Sequence, residues 1–148
     1  MIDTKKEKQR KFLVFEGISG SGKTTLEDLY RATNKYWDYT MHRFTASKYV
    51  YAKIYNRELS ITNLNRTELA MNRLFDVRVI LCVVNPTLAY QRKIELHDKN
   101  IEESLDKCQE YFKEYVFNHS KFSKYLVVNT EKSIAKCMED ILTFIDIP

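Results

Sequence analysis

Glycine is scarce in this chain, with three residues in 148, and proline scarcer still, with two. No Pro/Gly/Ser-rich linker, internal repeat or low-complexity stretch divides the sequence, so one domain over residues 12–148 is expected. Also missing is any apolar run near the ~18 residues that a bilayer-spanning helix needs, and no apolar segment of a signal peptide follows the start. The three cysteines, Cys82, Cys108 and Cys137, are odd in number, far apart and without metal-ligand spacing. They read as reduced core residues of a cytoplasmic protein. Neither charge sign dominates: 24 Lys and Arg stand against 20 Asp and Glu, a net +4. That excess suits phosphorylated substrates and does not demand a nucleic-acid partner.

What is present is a globular composition, 44% hydrophobic and 13% aromatic. Residues 1–11 form a charged, basic lead-in, expected to be solvated and flexible. Phe12 to Glu16 reads as a buried strand, followed by a helix from Thr24 to about Tyr36 with Leu26, Leu29, Tyr30 and Thr33 on its inner side. Trp37 to Arg43 is short and β-prone. Ala46 to Arg57 is helical, with Tyr49, Val50, Ile54 and Tyr55 apolar, and Thr67 is expected to cap a short helix reaching Phe75. Val77 to Val84 is the clearest strand, ended by Asn85-Pro86. Helices are expected from Thr87 and from Ile101, a strand over Tyr125 to Asn129, and a final helix with Ile134, Met138, Ile141, Leu142 and Ile145 inside. Apolar strands alternating with helices predict an α/β, three-layer fold: a short parallel sheet of about four strands, the first near its centre, flanked by helices.

All three glycines fall within six residues, in Gly17-Ile-Ser-Gly-Ser-Gly-Lys-Thr24. This fits G-x-x-x-x-G-K-[ST] without a mismatch, between a strand and a helix. The chemistry needs these types. Glycines let Gly17, Ser19, Gly20, Ser21 and Gly22 curl so that backbone N–H groups converge on phosphate oxygens. The helix begun near Thr24 and Thr25 adds the positive end of its dipole. Lys23 is placed to reach the β- and γ-phosphates, and the Thr24 hydroxyl to ligate Mg²⁺. A nucleoside triphosphate, read as ATP, is the expected cofactor.

Phe15-Glu-Gly-Ile-Ser-Gly-Ser-Gly-Lys-Thr-Thr25 resembles the F-E-G-x-D-G-x-G-K-T-T motif of thymidylate kinase and its deoxynucleoside and nucleoside monophosphate kinase relatives. His42-Arg-Phe-Thr-Ala-Ser-Lys-Tyr-Val-Tyr51 is similar to their D-R-[YFH]-x-x-S-x-x-x-Y, and Pro86 with Arg92 to the P-x-x-x-x-x-R that opens their lid. The resemblance runs thinly from residue 12 onward, and compact forms of this kind look similar to phage-encoded nucleotide kinases. It implies a P-loop kinase fold and transfer of the γ-phosphoryl of ATP, with Mg²⁺, to a deoxynucleoside monophosphate. By the same match Arg43 would contact the acceptor's phosphate or reacting groups, and Phe44, Ser47 and Tyr51 would line the acceptor pocket. Arg92 would cover the ATP phosphates, while Asn129 and Thr130 would lie near the adenine. Family members are often dimers, and the Tyr49–Tyr55 helix offers a surface for a second copy.

The chain also departs from the pattern. Ser19 stands in place of the family's first-loop acidic residue, and His42 in place of the acidic residue before the motif arginine. Asp38 cannot substitute, since at ~3.3 Å per residue it lies about 13 Å from the strand's catalytic end. A neutral histidine can act as a general base, which makes His42 a catalytic candidate. The strand and helices that hold the acceptor in the family, between the first helix and the arginine motif, are absent from the sequence. A degenerate nucleotide-binding homologue serving as an interaction or regulatory module, and a polynucleotide-end or small-molecule kinase, therefore stand beside the nucleotide-kinase reading.

Overall fold

Alternate residues of the first strand face two different cores, as the period of two in a strand requires. In the computed structural model, which describes residues 9–33, 38–95 and 105–148, strand β1 is Lys11–Gly17. It pairs in parallel with β2, Tyr39–His42, on one side and with β3, Asp76–Val83, on the other, and β3 pairs with β4, Tyr125–Asn129. The order β2-β1-β3-β4 puts β1 and β3 inside the sheet, which is why both read as nearly unbroken apolar runs. Leu13, Phe15, Ile80, Cys82 and Val128 pack against helices α1, Lys23–Thr33, and α6, Ile134–Asp146. Val14, Val77, Val79 and Leu81 pack on the opposite face against α2, Thr45–Ile54, α3, Ile61–Leu74, α5, Leu105–Glu114, and the π-helical turn Tyr115–His119. The expected three-layer α/β architecture with a central first strand is the one observed. Among the described residues, no helix is long and apolar enough to cross a membrane.

All three cysteines are buried and none is in a disulfide, as expected. An arginine inside β3 runs against the apolar pattern, and its burial has a reason. Arg78 grips Asp76 with two nitrogens and donates to the carbonyls of Phe144 and Ile145, the last turn of α6. The buried charge is thus paired and hydrogen-bonded, the condition under which it is tolerated.

Two sequence expectations need correction. Helix α3 begins at Ile61, capped by the Ser60 hydroxyl accepting the N–H of Asn63 at 3.2 Å. Thr67 lies within that helix and its hydroxyl turns back to the Asn63 carbonyl. The helix buries only Leu64 and Glu68, so its first turns carry no apolar rhythm to betray them. In α6 the buried stripe is Cys137, Ile141 and Ile145, whereas Ile134 and Leu142 are 55% and 44% exposed. Smaller trims apply as well: Leu29, Thr33 and Tyr55 are exposed, and α2 stops at Ile54. The lead-in over residues 1–8, the extension of α1 to Tyr36, Trp37, and the helix start at Ile101 fall outside the described residues.

The corrected helix start is testable by urea unfolding. Ser60→Ala is expected to cost about 1 kcal/mol and Thr67→Ala less than about 0.5 kcal/mol; the reverse ranking would restore the later start.

Candidate phosphate site and its flanking cavities

The loop after β1 folds as its glycines demand. Gly20 and Gly22 take φ of 80° and 86°, the left-handed region that side chains disfavour. At Gly20 there is also no room, since a Cβ would sit 2.5 Å from the Ala89 carbonyl oxygen of helix α4, Pro86–Glu95. Ser21, buried, closes a turn onto Ile18. Helix α1 then starts at Lys23, so first-turn N–H groups that lack intrahelical partners follow directly on Gly17, Ser19, Gly20, Ser21 and Gly22. Thr24 and Thr25 lie exposed on that first turn.

Lys23 is only 5% exposed and donates to the Ile18 carbonyl at 3.1 Å. Burial, and next the Arg43 guanidinium, pull its pKa down to about 8; Cys82 and Glu16 oppose this, and Lys93 adds to it. Lys93, on α4, is itself buried. Three cations thus act on one loop that already presents backbone N–H groups, and the nearby carboxylate, Glu16, has its own pKa raised, by burial first. Such a set favours an anion.

Glu16 had no assigned role in the sequence reading, although an acid in a buried apolar strand just before the loop was the signal. Its side chain projects to the α2 face of the sheet, where it accepts from the backbone N–H groups of Phe44 and Ser47 and, at 2.6 Å, from the Ser47 hydroxyl. These bonds fix the corner after β2, where Arg43 adopts φ of 63°, a strained setting for a side-chain residue. Arg43 is thereby aimed across the Tyr51 ring, 5.5 Å from its centroid. Beside them opens a groove of about 440 Å³ lined by Arg43, Phe44, Ser47, Lys48, Tyr51 and Arg57 among others. The Ser47 hydroxyl is spent on Glu16, so Ser47 supports this groove rather than offering it a free donor.

On the other side of the loop, a cavity of about 340 Å³ is bounded by Gly20, Gly22, Thr25, Leu26, Arg92 and Thr130, with Ile134 on its wall. The exposure of Ile134 is therefore the exposure of a cavity lining. Arg92 donates to the Gly20 carbonyl at 3.0 Å and to the Thr130 carbonyl at 3.1 Å, bracing the loop against the turn after β4. Asn129 shapes that turn, accepting the Glu131 N–H on its side chain, and does not line the cavity.

His42 lines neither cavity. It faces α1, where its Nδ1 is 2.9 Å from Oε1 of Glu27, a carboxylate 1% exposed. Glu27 was also missed; nothing in the sequence marks a helix acid as the partner of a strand-end histidine. Asp38 accepts from the Tyr30 hydroxyl at 2.6 Å, at the start of β2 and away from the site, as expected. Tyr49 and Val50 are buried in their own core, leaving Tyr51 and Tyr55 on the outer side of α2. A third cavity, about 560 Å³ and the largest of the three, lies at the opposite end of the sheet between Lys11, Asp76 and Lys124. Its Arg78 and Lys124 are both paired with Asp76, and ligands of parallel sheets bind at the carboxyl ends.

Magnesium fits the described residues poorly. It usually takes one or two protein carboxylates besides substrate phosphates, but Thr24 offers a single hydroxyl and β3 runs out into Val84 and Asn85. No group of three His, Cys, Asp or Glu suited to a metal occurs among the described residues.

No protein-family model matches the chain, and no curated protein matches it. Among solved structures it is similar to an unliganded sugar kinase from a Janibacter species, at 15% identity and a TM-score of 0.54, over 93% of this chain and 95% of that one. The likeness is one of fold.

The buried ammonium sets a measurable trade. A lysine whose folded pKa lies below its unfolded value costs stability below about pH 8, and the cost fades as pH rises toward 10.5. In the ligand-free protein Lys23→Met is expected to be more stable than wild type at pH 7 by up to about 3 kcal/mol. In urea titrations across pH that advantage should vanish near pH 10.5; a destabilised variant at pH 7 would contradict the assignment.

Proposed function

We propose that the chain is a kinase-type phosphotransferase that takes a nucleoside triphosphate, with a divalent cation, at the glycine loop and passes its γ-phosphoryl to an anionic acceptor in the groove over α2. A deoxynucleoside monophosphate is the acceptor favoured. The observation that carries this reading is the buried Lys23 beside the glycine loop, its pKa pulled down by burial and by Arg43, with one cavity lined by Gly20 and Gly22 of that loop and another by Arg43. One wall holds an apolar surface suited to a base, Leu26 and Ile134, while the other holds Arg43, Lys48 and Arg57 around Tyr51. Lys23 and the first turn of α1 suit the β- and γ-phosphates. Arg43 suits the bridge between donor and acceptor, where phosphoryl transfer depends on neutralising charge. Leaving Thr130 and Gly20, Arg92 would reach the same phosphates. The short segment between α1 and β2 is consistent with β2 being a sheet edge, so the acceptor groove lies open.

A second reading, a homologue that binds nucleotide without transferring it, draws on the missing carboxylate near Thr24. The two are separated by purified protein, nucleoside triphosphate with Mg²⁺, Mn²⁺ or Co²⁺, and a panel of deoxynucleoside monophosphates and 5′-hydroxyl oligonucleotides. Nucleotide at about 100 times its Kd is expected to add about 2.7 kcal/mol of stability, lost in Lys23→Ala. Arg43→Ala is expected to cut transfer at least about tenfold while donor affinity holds. A donor-induced shift without transfer to any acceptor would establish the second reading, and no shift at millimolar nucleotide would dismiss both.

A further inference from the structure

Among the described residues only two besides glycine take a left-handed backbone, Arg43 at φ 63° and Asn56 at φ 50°, and they bracket helix α2. Each sets an arginine against a tyrosine ring. Arg43 stands over Tyr51, 5.5 Å from its centroid. At the other end the Asn56 N–H bonds back to the Lys53 carbonyl and the Arg57 N–H to the Ala52 carbonyl, the pattern of a helix closed by a left-handed residue. Asparagine tolerates that setting. The chain thereby turns back on itself, and the Arg57 guanidinium stands 4.9 Å from the centroid of Tyr55. Between the two arginines the rings of Tyr51 and Tyr55, one helical turn apart, lie 6.3 Å from each other and 18° from parallel. A continuous row results, Arg43–Tyr51–Tyr55–Arg57, with Tyr55 half exposed.

Positive charge collects on the same row. Of 24 cations and 20 carboxylates in the chain, residues 43–59 hold four and one, which leaves twenty against nineteen elsewhere. Arg43, Lys48 and Arg57 line the groove of about 440 Å³, and among the described residues none of the three is in a salt bridge. Cations alone suit any polyanion. Interleaved with open aromatic faces, they suit a polyanion whose bases are free to stack, which is a single strand. A second copy of this face is disfavoured, because a two-fold interface sets the patch against itself and brings like charges together.

We infer that the outer face of α2 is a platform for single-stranded nucleic acid, whose bases stack on Tyr51 and Tyr55 while Arg43, Lys48 and Arg57 take successive phosphates. The inference goes beyond the proposed transfer, since it needs neither a donor nucleotide nor a cation. A mononucleotide in the groove meets the Arg43–Tyr51 end alone, whereas a strand meets the whole row.

The test uses the whole chain without nucleoside triphosphate and a fluorescent single strand of about ten thymidines, read by anisotropy. Binding is expected to weaken with salt along a log–log slope of about −2, from three phosphates at about 0.7 each, and Arg57→Ala should remove about 0.7 of it. Tyr55→Ala should weaken binding at least about fivefold, and Tyr55→Phe, which keeps the ring, should restore it. The same strand paired into a duplex, or thymidine monophosphate as competitor, should bind at least about tenfold more weakly. Failure of the strand to bind, indifference to Tyr55→Ala, or a duplex or mononucleotide that binds equally well overturns the inference and leaves the glycine loop standing. Sedimentation that finds a dimer through this face, undisturbed by the strand, also overturns it and assigns the row to a second copy. Absence of phosphoryl transfer to any acceptor bears on the proposed function alone.

Discussion

The Glu16 carboxylate is the knot of this molecule. It lies one residue before the phosphate loop, at the end of the central strand, and accepts three hydrogen bonds from the start of α2. Through it the glycine loop and the groove over α2 share one rigid origin. Removing a buried acceptor of this kind leaves several donors unpaired, each at a cost of about 1–3 kcal/mol. The unusual backbone of Arg43 is sustained by the same contacts, so the position of the guanidinium follows from a strand residue that itself touches neither cavity.

Around that knot positive charge gathers. Lys23, Arg43 and Lys93 act on a loop that presents its own N–H groups, and the Glu16 carboxylate beside them is occupied by the start of α2. The buried Lys23 ammonium is held at the expense of stability, which a bound polyanion would relieve on the proposed function. Sites of this sort are places where local consistency is given up for binding.

Much of this was legible in the sequence, for physical reasons that differ by element. The loop was readable because its conformation admits only glycine at Gly20, where both backbone angle and the Ala89 carbonyl exclude a side chain. Strands β1 and β3 were readable because burial on both faces writes an unbroken apolar run. Helix α3 was misplaced because its inner face is a buried acid and a single leucine, Glu68 and Leu64, a pattern without apolar period. Ile134 was misread as core because an apolar cavity wall and an apolar core look alike in a sequence. Glu16 and Glu27 escaped because their meaning lies in partners 31 and 15 residues away, brought near only by the parallel crossover.

The tight contact between Gly20 and Ala89 has a mechanical consequence. With no slack between the loop and α4, and with Arg92 of that helix tied to Gly20 and Thr130, the loop, the helix and the turn after β4 behave as one lever. On the proposed function, phosphates drawn into the loop would press on the helix, whose Arg92 also lines the neighbouring cavity. The two ends of a donor molecule would then meet one connected unit, and a ligand lacking either end would engage it only halfway.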